Sequence, residues 1–303
     1  MDARTVNDVK ISADGRIGVI SREGASNRRN GIVILDVSDP ASVEILSTFD
    51  EYLTGGVHNV FIWEDHVFAL SAGQRYDIIN IEDPLNPYRV SSFELDSPGR
   101  SIHDVWVEDG IAYSSNWSDG VVLVDVGNGI AGGSLENPVM LASYAYPSGA
   151  NHAAFPFRSQ TTGKFYVVAG DEIMPECNDL NAPCTTDGYI HFIDFSDLEN
   201  PREVARFQVP DAGTHNFWVE ADRLYVAFYN GGVRVVDISG ELMGDLYRQG
   251  REIAHYYAWD PEGYIANAPM TWGAQPHKGN LFFSEFNSGL WAVKLKPSRE
   301  LVP

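Results

Sequence analysis

The sequence predicts an all-β fold, a six-bladed β-propeller of four-stranded blades around a central channel. Short apolar or alternating runs, separated by Gly, Asp, Asn and Pro, recur without helical periodicity, which is the pattern of β-strands. The same unit returns six times at intervals of 45 to 63 residues, close to the roughly 40–50 residues of a propeller blade. We therefore interpret residues 1–303 as a single propeller domain, with insertions in its fourth and fifth units.

One unit shows the four predicted strands most clearly. Its apolar runs cover residues 57–62, 67–70, 76–81 and 88–90, and turn-forming residues separate them. The first run of each unit begins near a residue that serves as the anchor of that unit. The six predicted anchors, and hence the six predicted blade starts, are Asn7, His58, His103, His152, His215 and His277.

The third run of each unit carries a motif of four apolar residues followed by an acidic or amide residue, as in GIVILDVSDP at residues 31–40. Lys294 replaces the acidic residue in the last unit, and the other five units carry Asp36, Asn80, Asp125, Asp194 and Asp237. The motif resembles the LVIVD-repeat β-propeller family over nearly the whole chain. This resemblance implies the propeller fold and no particular reaction, because the family has no shared activity.

Five of the eight histidines are predicted anchors at the same position of the repeat. Because the first strand of a propeller blade lines the channel, we expect the five to face one another and to bind a metal ion, with neutral imidazole nitrogens as ligands. Zinc or manganese is the favoured ion, and copper or iron is the alternative. In the opposing interpretation each histidine is a hydrogen-bonded turn residue that supports its own blade. The five predicted ligands are His58, His103, His152, His215 and His277.

This arrangement is similar, by analogy and without a shared sequence motif, to metal-centred propellers such as selenium-binding proteins and carotenoid oxygenases. No residue role follows from that analogy. The remaining histidines, His66, His191 and His255, fall outside the repeat position, and no function is predicted for them.

Acidic residues follow the second run of several units and are candidates for proton transfer beside a metal ion. Glu23, Glu172 and Glu285 all lie there, and Glu172 and Glu285 are the preferred catalytic pair because apolar neighbours surround them. The alternative for each is a solvated loop carboxylate. Asp104 is a candidate for orienting an imidazole, as are Asn59 and Asn216 at the same place. Four aromatic residues near loops are candidates for the wall of a substrate pocket: Trp117, Tyr229, Trp272 and Phe286.

Composition narrows the partners and the compartment. The net charge of −21 disfavours binding to nucleic acid, and the sequence contains no apolar run of the roughly 18 residues that a membrane span needs. Cys177 and Cys184 lack the spacing of a zinc motif and instead predict a loop-closing disulfide, which favours an oxidising compartment. We therefore expect a secreted, periplasmic or cell-surface protein whose export segment is not part of the printed sequence. A monomer is expected, since closed propellers leave few strand edges exposed.

The serine-elbow motif, the phosphate-binding loop and the dinucleotide-binding motif are absent from the sequence, so metal chemistry or no chemistry remains. Three functions stay open. The first is a metal-dependent hydrolase acting on a small-molecule ester, lactone or phosphoester. The second is a copper- or iron-dependent oxidase or oxygenase, and the third is a non-catalytic extracellular binding module.

Overall fold

The computed structural model describes residues 3–174 and 188–296. Within these ranges the chain forms 24 β-strands, one 3₁₀ turn (Tyr229–Gly231) and no α-helix. The strands form six sheets, one for each sequence repeat, so the predicted all-β, six-bladed β-propeller is confirmed. The chain divides into two compact parts, unit 1 (Met1–Ala154) and unit 2 (Phe155–Pro303). That residues 1–303 form one domain stays a prediction.

Unit 1 contains three antiparallel sheets of four consecutive strands each. The first sheet comprises β1 (Val9–Ile11), β2 (Ile17–Arg22), β3 (Gly31–Asp36) and β4 (Glu44–Phe49). The second comprises β5 (Val57–Trp63), β6 (His66–Ser71), β7 (Arg75–Asn80) and β8 (Tyr88–Phe93). The third comprises β9 (Asp104–Glu108), β10 (Ile111–Ser115), β11 (Val121–Asp125) and β12 (Val139–Tyr144).

Unit 2 is less regular than unit 1. Its first sheet begins with β13 (Asn151–Arg158), which contains the boundary between the units, and continues with β14 (Phe165–Asp171), β15 (Ile190–Asp194) and β16 (Arg202–Phe207). The short β20 (Gly244–Asp245) extends this sheet by pairing parallel to β16. The next sheet comprises β17 (Thr214–Glu220), β18 (Arg223–Phe228), β19 (Gly232–Asp237) and β21 (Glu252–Tyr256). The last has three strands among the described residues, β22 (Thr271–His277), β23 (Asn280–Glu285) and β24 (Gly289–Val293).

The hydrophobic core lies between neighbouring sheets. In unit 1, Ile34 of the first sheet and Val60 and Ile79 of the second belong to one buried cluster. In unit 2, Tyr225 and Phe283 join the last two sheets in the same way. Third strands such as β3 and β11 are therefore largely buried and consist of apolar runs, whereas the fourth strand β4 is mostly exposed or half-buried.

The acidic or amide residue that ends each third strand has a structural role. Its side-chain oxygen accepts a hydrogen bond from the backbone N–H two residues later, which fixes the turn that leaves the strand. The pairs are Asp36 with Ser38, Asn80 with Glu82, Asp125 with Gly127, Asp194 with Ser196 and Asp237 with Ser239. The repeat motif thus reports on folding of the blade and does not indicate a reaction. Among the described residues, no helix is both long and apolar enough to span a membrane.

Candidate metal site

Strand register defines two equivalent positions in the repeats. In five repeats, one residue of the first strand pairs with one residue of the second strand at the same point of the sheet. These pairs are Val9↔Ile20, Val60↔Ala69, Val105↔Ser114, Phe217↔Val226 and Ala274↔Phe283. We call the residue two places before the first-strand member the histidine position, and the residue three places after the second-strand member the turn position. With the fourth repeat aligned through β14 and β15, the histidine position holds Asn7, His58, His103, His152, His215 and Trp272. The turn position holds Glu23, Ala72, Trp117, Glu172, Tyr229 and Phe286.

His277 therefore does not occupy the histidine position of the sixth repeat, and Trp272 is its true anchor. His277 is the last residue of β22, pairs with Asn280 across the hairpin and is exposed to solvent. Thr271 and Trp272 lie at the opposite end of the same strand. We therefore omit His277 from the candidate metal site.

Three of the predicted ligands lie together in unit 1. The ring centroids of His58 and His103 are 4.8 Å apart, and those of His103 and His152 are 4.0 Å apart. His103 and His152 are buried, whereas the side chain of His58 is 36% exposed, so the cluster opens towards solvent on the His58 side. The structure thus brings together imidazoles that are up to 94 residues apart in the sequence.

Hydrogen bonds fix which nitrogen of His58 carries the proton. Its Nδ1 lies 3.0 Å from Oε1 of Glu23, and a carboxylate oxygen accepts, so Nδ1 is the donor. Its Nε2 lies 3.2 Å from the side-chain nitrogen of Asn7, which donates to it. Nε2 therefore presents a lone pair, and Asn7 is held in place by a second bond to Asn59 at 3.0 Å.

The same logic applies to His103. Its Nδ1 lies 3.2 Å from the backbone oxygen of His152, which accepts only, so Nδ1 donates this bond and Nε2 is the nitrogen on the other side of the ring. Asn59 supports this arrangement by donating to the backbone oxygen of His103 at 3.1 Å. Each of these contacts joins one repeat to the next, so the opposing interpretation of histidines bonded within their own blades does not describe His58 and His103.

Trp117 borders the cluster and is held in an unusual backbone conformation. Its ring lies edge-on to His103 with a centroid distance of 4.9 Å. Its φ of 48° lies in the left-handed region that non-glycine residues seldom occupy, and its N–H donates to the backbone oxygen of Asn151 at 3.1 Å. Such strained residues concentrate at functional sites, where surrounding contacts hold them.

Asp104 lies beside Lys10 and Asp8. Burial raises the pKa of its carboxyl to about 7; Lys10 opposes this shift and Asp8 adds to it. Its hydrogen-bond partners are the backbone of Val105 and the side chain of Asn59, so it supports the cluster through Asn59. The predicted role of Asp104 in orienting an imidazole directly gains no support from these contacts.

In unit 2, Glu172 lies next to His215 and Tyr229. The Tyr229 hydroxyl donates to Oε1 of Glu172 at 3.0 Å, and Nε2 of His215 lies 3.8 Å from the same oxygen. His215 donates from Nδ1 to the backbone oxygen of Trp272 at 2.5 Å. Burial, followed by the charge of Glu172, raises the pKa of the Tyr229 hydroxyl, which therefore stays protonated and remains a donor.

Glu285, the second predicted catalytic acid, is one residue out of register with Glu172. It is the last residue of β23, so its side chain points to the other face of the sheet, and Phe286 takes the turn position. It is 2% exposed, and its oxygens accept from the backbone N–H groups of Met270 and Asn287 and from the hydroxyl of Thr271. These bonds use the acceptor capacity of the carboxylate, so Glu285 shapes a loop and is poorly suited to proton transfer.

Sequence analysis predicts no function for His191, which the structure places in a buried charged cluster of unit 2. Its Nε2 lies 3.3 Å from Asp171, and its Nδ1 lies 3.1 Å from Glu203. Burial lowers the pKa of His191, but the two carboxylates outweigh it and leave the pKa above its usual value. A histidine in a third strand facing acids in neighbouring strands was the available sequence signal. Cys177 and Cys184 lie outside the described residues.

Comparisons with known proteins support the fold and leave the site unassigned. The LVIVD repeat model matches residues 26–51 and 213–241. No curated protein matches the sequence. The β-propeller domain of Cps50 (Swd1) from Myceliophteria thermophila superposes with a TM-score of 0.61 at 8% identity, covering 95% of this chain and 82% of that one. The computationally designed Ika8 protein superposes with a TM-score of 0.59 at 10% identity, covering 96% of this chain and 71% of that one.

At such low identity the structural likeness shows the fold alone. Together, the repeat matches and the six sheets support the resemblance of the chain to the LVIVD-repeat β-propeller family.

Proposed function

We propose that this protein is a metal-dependent hydrolase of an ester, lactone or phosphoester, with a divalent ion held by His58, His103 and His152. One observation carries the proposal. Three imidazole rings are neighbours within unit 1, and acceptors at the Nδ1 atoms of His58 and His103 leave Nε2 as the ligating nitrogen of each.

The surroundings of these rings fit a metal site. Histidine ligands commonly donate their second N–H to a carboxylate or a backbone oxygen, and Glu23 and the His152 backbone oxygen accept these bonds here. A ligand nitrogen of His103 and one of His152 lie within 4.8 Å of each other. Two nitrogens bound to one zinc ion are at most ~4.2 Å apart, so a small side-chain movement suffices. His58 would exchange the Asn7 amide for the ion.

An imidazole-bound divalent ion lowers the pKa of a water molecule and polarises a carbonyl or phosphoryl oxygen. Zinc or manganese suits this reaction best. Among the two predicted carboxylates, Glu172 is our proposed proton acceptor, because Tyr229 orients one of its oxygens while loop donors occupy Glu285. Trp117 contributes an apolar wall beside His103.

The test combines metal analysis with hydrolysis assays. The purified protein should contain about one equivalent of zinc or manganese and should cleave at least one of 4-nitrophenyl acetate, γ-butyrolactone and 4-nitrophenyl phosphate. The double variant His103→Ala/His152→Ala should lose the metal and the activity. His255→Ala is the matched control, since its side chain is 51% exposed and lies outside the cluster. Circular dichroism should show that both variants keep the β-fold.

Three results would overturn the proposal. Stoichiometric copper or iron with substrate oxidation would favour an oxidase, and a protein without bound metal would favour a binding module. A folded double variant that retains the wild-type metal content would place the ion elsewhere.

A further inference from the structure

His58 is held at both of its ring nitrogens by side chains of the first repeat. Its Nδ1 lies 3.0 Å from Oε1 of Glu23, and its Nε2 lies 3.2 Å from the side-chain nitrogen of Asn7. Glu23 lies at the turn position of that repeat, and Asn7 lies at its histidine position. The nitrogen that the proposed metal site requires from His58 is therefore engaged by an amide of the neighbouring repeat.

A chain of hydrogen bonds fixes the orientation of the Asn7 amide. The backbone oxygen of His103 accepts only, so Asn59 directs its NH2 group to that oxygen, at 3.1 Å, and its Oδ1 towards Asn7. Asn7 donates to this Oδ1 at 3.0 Å, and the same amide nitrogen faces Nε2 of His58. Because the amide nitrogen is a donor, Nε2 is the acceptor, and the Asn7 amide covers its lone pair.

The backbone on either side of Asn7 is fixed, so its amide leaves the imidazole by rotation of the side chain. Thr5 exchanges two backbone hydrogen bonds of 3.1 Å with Glu23. The backbone N–H of Asp8 donates to the Ser21 hydroxyl at 3.0 Å, and the backbone oxygen of Asp8 accepts from the N–H of Ser21 at 3.1 Å. Asn7 itself is partly exposed, so a rotated amide regains hydrogen bonds from water.

We propose that the Asn7 side chain is a latch on the metal site: it occupies the ligand nitrogen of His58, and a cation binds there by displacing it. The inference rests on the metal site of the proposed function and does not depend on hydrolysis. Because the same hydrogen bond is given up for every ion, the latch weakens the binding of all cations by one common factor. One hydrogen bond corresponds to about three- to tenfold in affinity.

A direct ligand role for Asn7 makes the opposite prediction. An amide oxygen can coordinate a metal ion, and carbonyl-type oxygens suit manganese better than they suit zinc. If Asn7 were a ligand, removing its amide would weaken metal binding, and manganese would lose more affinity than zinc. The sign of the change and its dependence on the ion therefore separate a latch from a ligand.

Calorimetric titration of the chelator-stripped protein with zinc chloride, and separately with manganese chloride, measures the latch. Asn7→Ala should bind both ions about three- to tenfold more tightly than wild type, and by the same factor. Asn7→Leu, which keeps a side chain of similar size without the amide, should also bind both more tightly. Weaker or unchanged binding in these variants would overturn the proposal.

The matched control is Asn86→Ala, which should bind both ions as wild type does. Asn86 is an exposed asparagine of unit 1 in the turn between β7 and β8, and its amide donates to the exposed Asp83 carboxylate at 2.8 Å. A gain in affinity in Asn86→Ala equal to that in Asn7→Ala would contradict the latch.

Nitrogen NMR of the stripped protein tests the latch without a metal ion. In mildly alkaline buffer, Nε2 of His58 should be the non-protonated nitrogen of the ring, and its resonance should shift in Asn7→Ala. A protonated Nε2 in wild type would overturn the proposal, because Asn7 would then accept a hydrogen bond there.

The latch and the hydrolase fail separately. Tighter metal binding by Asn7→Ala, without cleavage of the ester, the lactone or the phosphoester, would leave the latch in place and remove the hydrolase. Metal-dependent cleavage, with equal zinc affinity in wild type and Asn7→Ala, would do the reverse. If neither protein binds zinc or manganese, both proposals are wrong.

Discussion

In both units a residue of a third strand forms a buried ion pair with a residue of the fourth strand, but the signs of the two charges are exchanged between the units. In unit 1, the third-strand residue Asp77 is fully buried and pairs with Arg89 of the fourth strand at 2.5 Å. At the equivalent place in unit 2, His191 pairs with Glu203, and in the next repeat Arg234 pairs with Glu252. The position thus holds a buried ion pair in these three repeats, and the sign of the charge on the third strand differs between them.

The glutamate–histidine pairs show a second difference. Glu23 and Glu172 both lie at the turn position, and the carboxylate of each contacts the histidine of the following repeat. Glu23 lies at Nδ1 of His58, whereas Glu172 faces Nε2 of His215 because the Trp272 backbone occupies Nδ1. The group that reaches Nδ1 therefore decides which imidazole nitrogen the carboxylate faces.

Exchanging these carboxylates for amides should separate their roles and gives the largest expected effect. If Glu172 is the proton acceptor, Glu172→Gln should lower kcat for the hydrolysed ester by about 100-fold or more, with the metal content unchanged. Glu23→Gln should instead weaken metal binding by about 10–100-fold and leave kcat of the metal-saturated protein near wild type. Equal loss of kcat in both saturated variants would mean that the two pairs act alike.

Breaking the His191 pair should destabilise unit 2. His191→Ala leaves Asp171 and Glu203 without their buried partner and should cost about 3 kcal/mol in the free energy of unfolding. His255→Ala removes an exposed contact with Glu252 and should cost less than about 1 kcal/mol. Urea unfolding measures both values, and a similar loss in the two variants would show that burial of His191 contributes little.

The pH dependence of stability should distinguish the units. The pKa of His191 is raised in the folded protein, so its contribution is fully present below pH ~6.5 and is lost as the pH rises through the raised value. The corresponding pair of unit 1, Asp77 and Arg89, contains no histidine. Hydrogen exchange between pH 6 and 9 should therefore accelerate in β15 and β16 more than in β7 and β8, after correction for the intrinsic rate. Equal acceleration of exchange in the two sheets, or an unchanged acceleration in the His191→Ala variant, would show that deprotonation of His191 is not the cause.

Tyr229→Phe should have the smallest effect. It removes the hydroxyl that donates to the Glu172 carboxylate while keeping the ring against His215 and Trp272. Since that bond favours the ionised acid, the acid limb of the pH–rate profile should move to higher pH by up to about one unit. Unfolding free energy should fall by about 1 kcal/mol. A purely structural role would lower stability without moving the limb.

Repetition made the fold predictable from the sequence. Turn residues and apolar runs located the strands, and the spacing of His58, His103, His152 and His215 identified one repeat position. The same reasoning failed in the sixth repeat, where His277 precedes an apolar strand as the other anchors do but lies at the far end of β22. Glu285 lies one residue before the turn position that Glu172 occupies in its own repeat. Because adjacent strand residues point to opposite faces, this difference of one residue places the Glu285 side chain on the other face of the sheet.

The chemistry of the candidate site was less predictable than its residues. Which nitrogen of His58 or His103 carries a proton depends on Glu23 and on the backbone of His152, and no local pattern encodes such distant partners. The sequence likewise did not indicate which member of each buried ion pair is positively charged. Asp77, His191 and Arg234 each interrupt an apolar strand at the same position, but a hydropathy pattern does not distinguish an acidic residue from a basic one.

The bond from His103 to the backbone of His152 has a thermodynamic consequence. If His103 binds the proposed cation, the polarised imidazole becomes a stronger N–H donor, and the strand that accepts this bond would be held more firmly. Occupancy of the proposed site and the attachment of β13 would then be linked equilibria, each stabilising the other by the same free energy. A molecule that bends this strand away would release the cation without touching it.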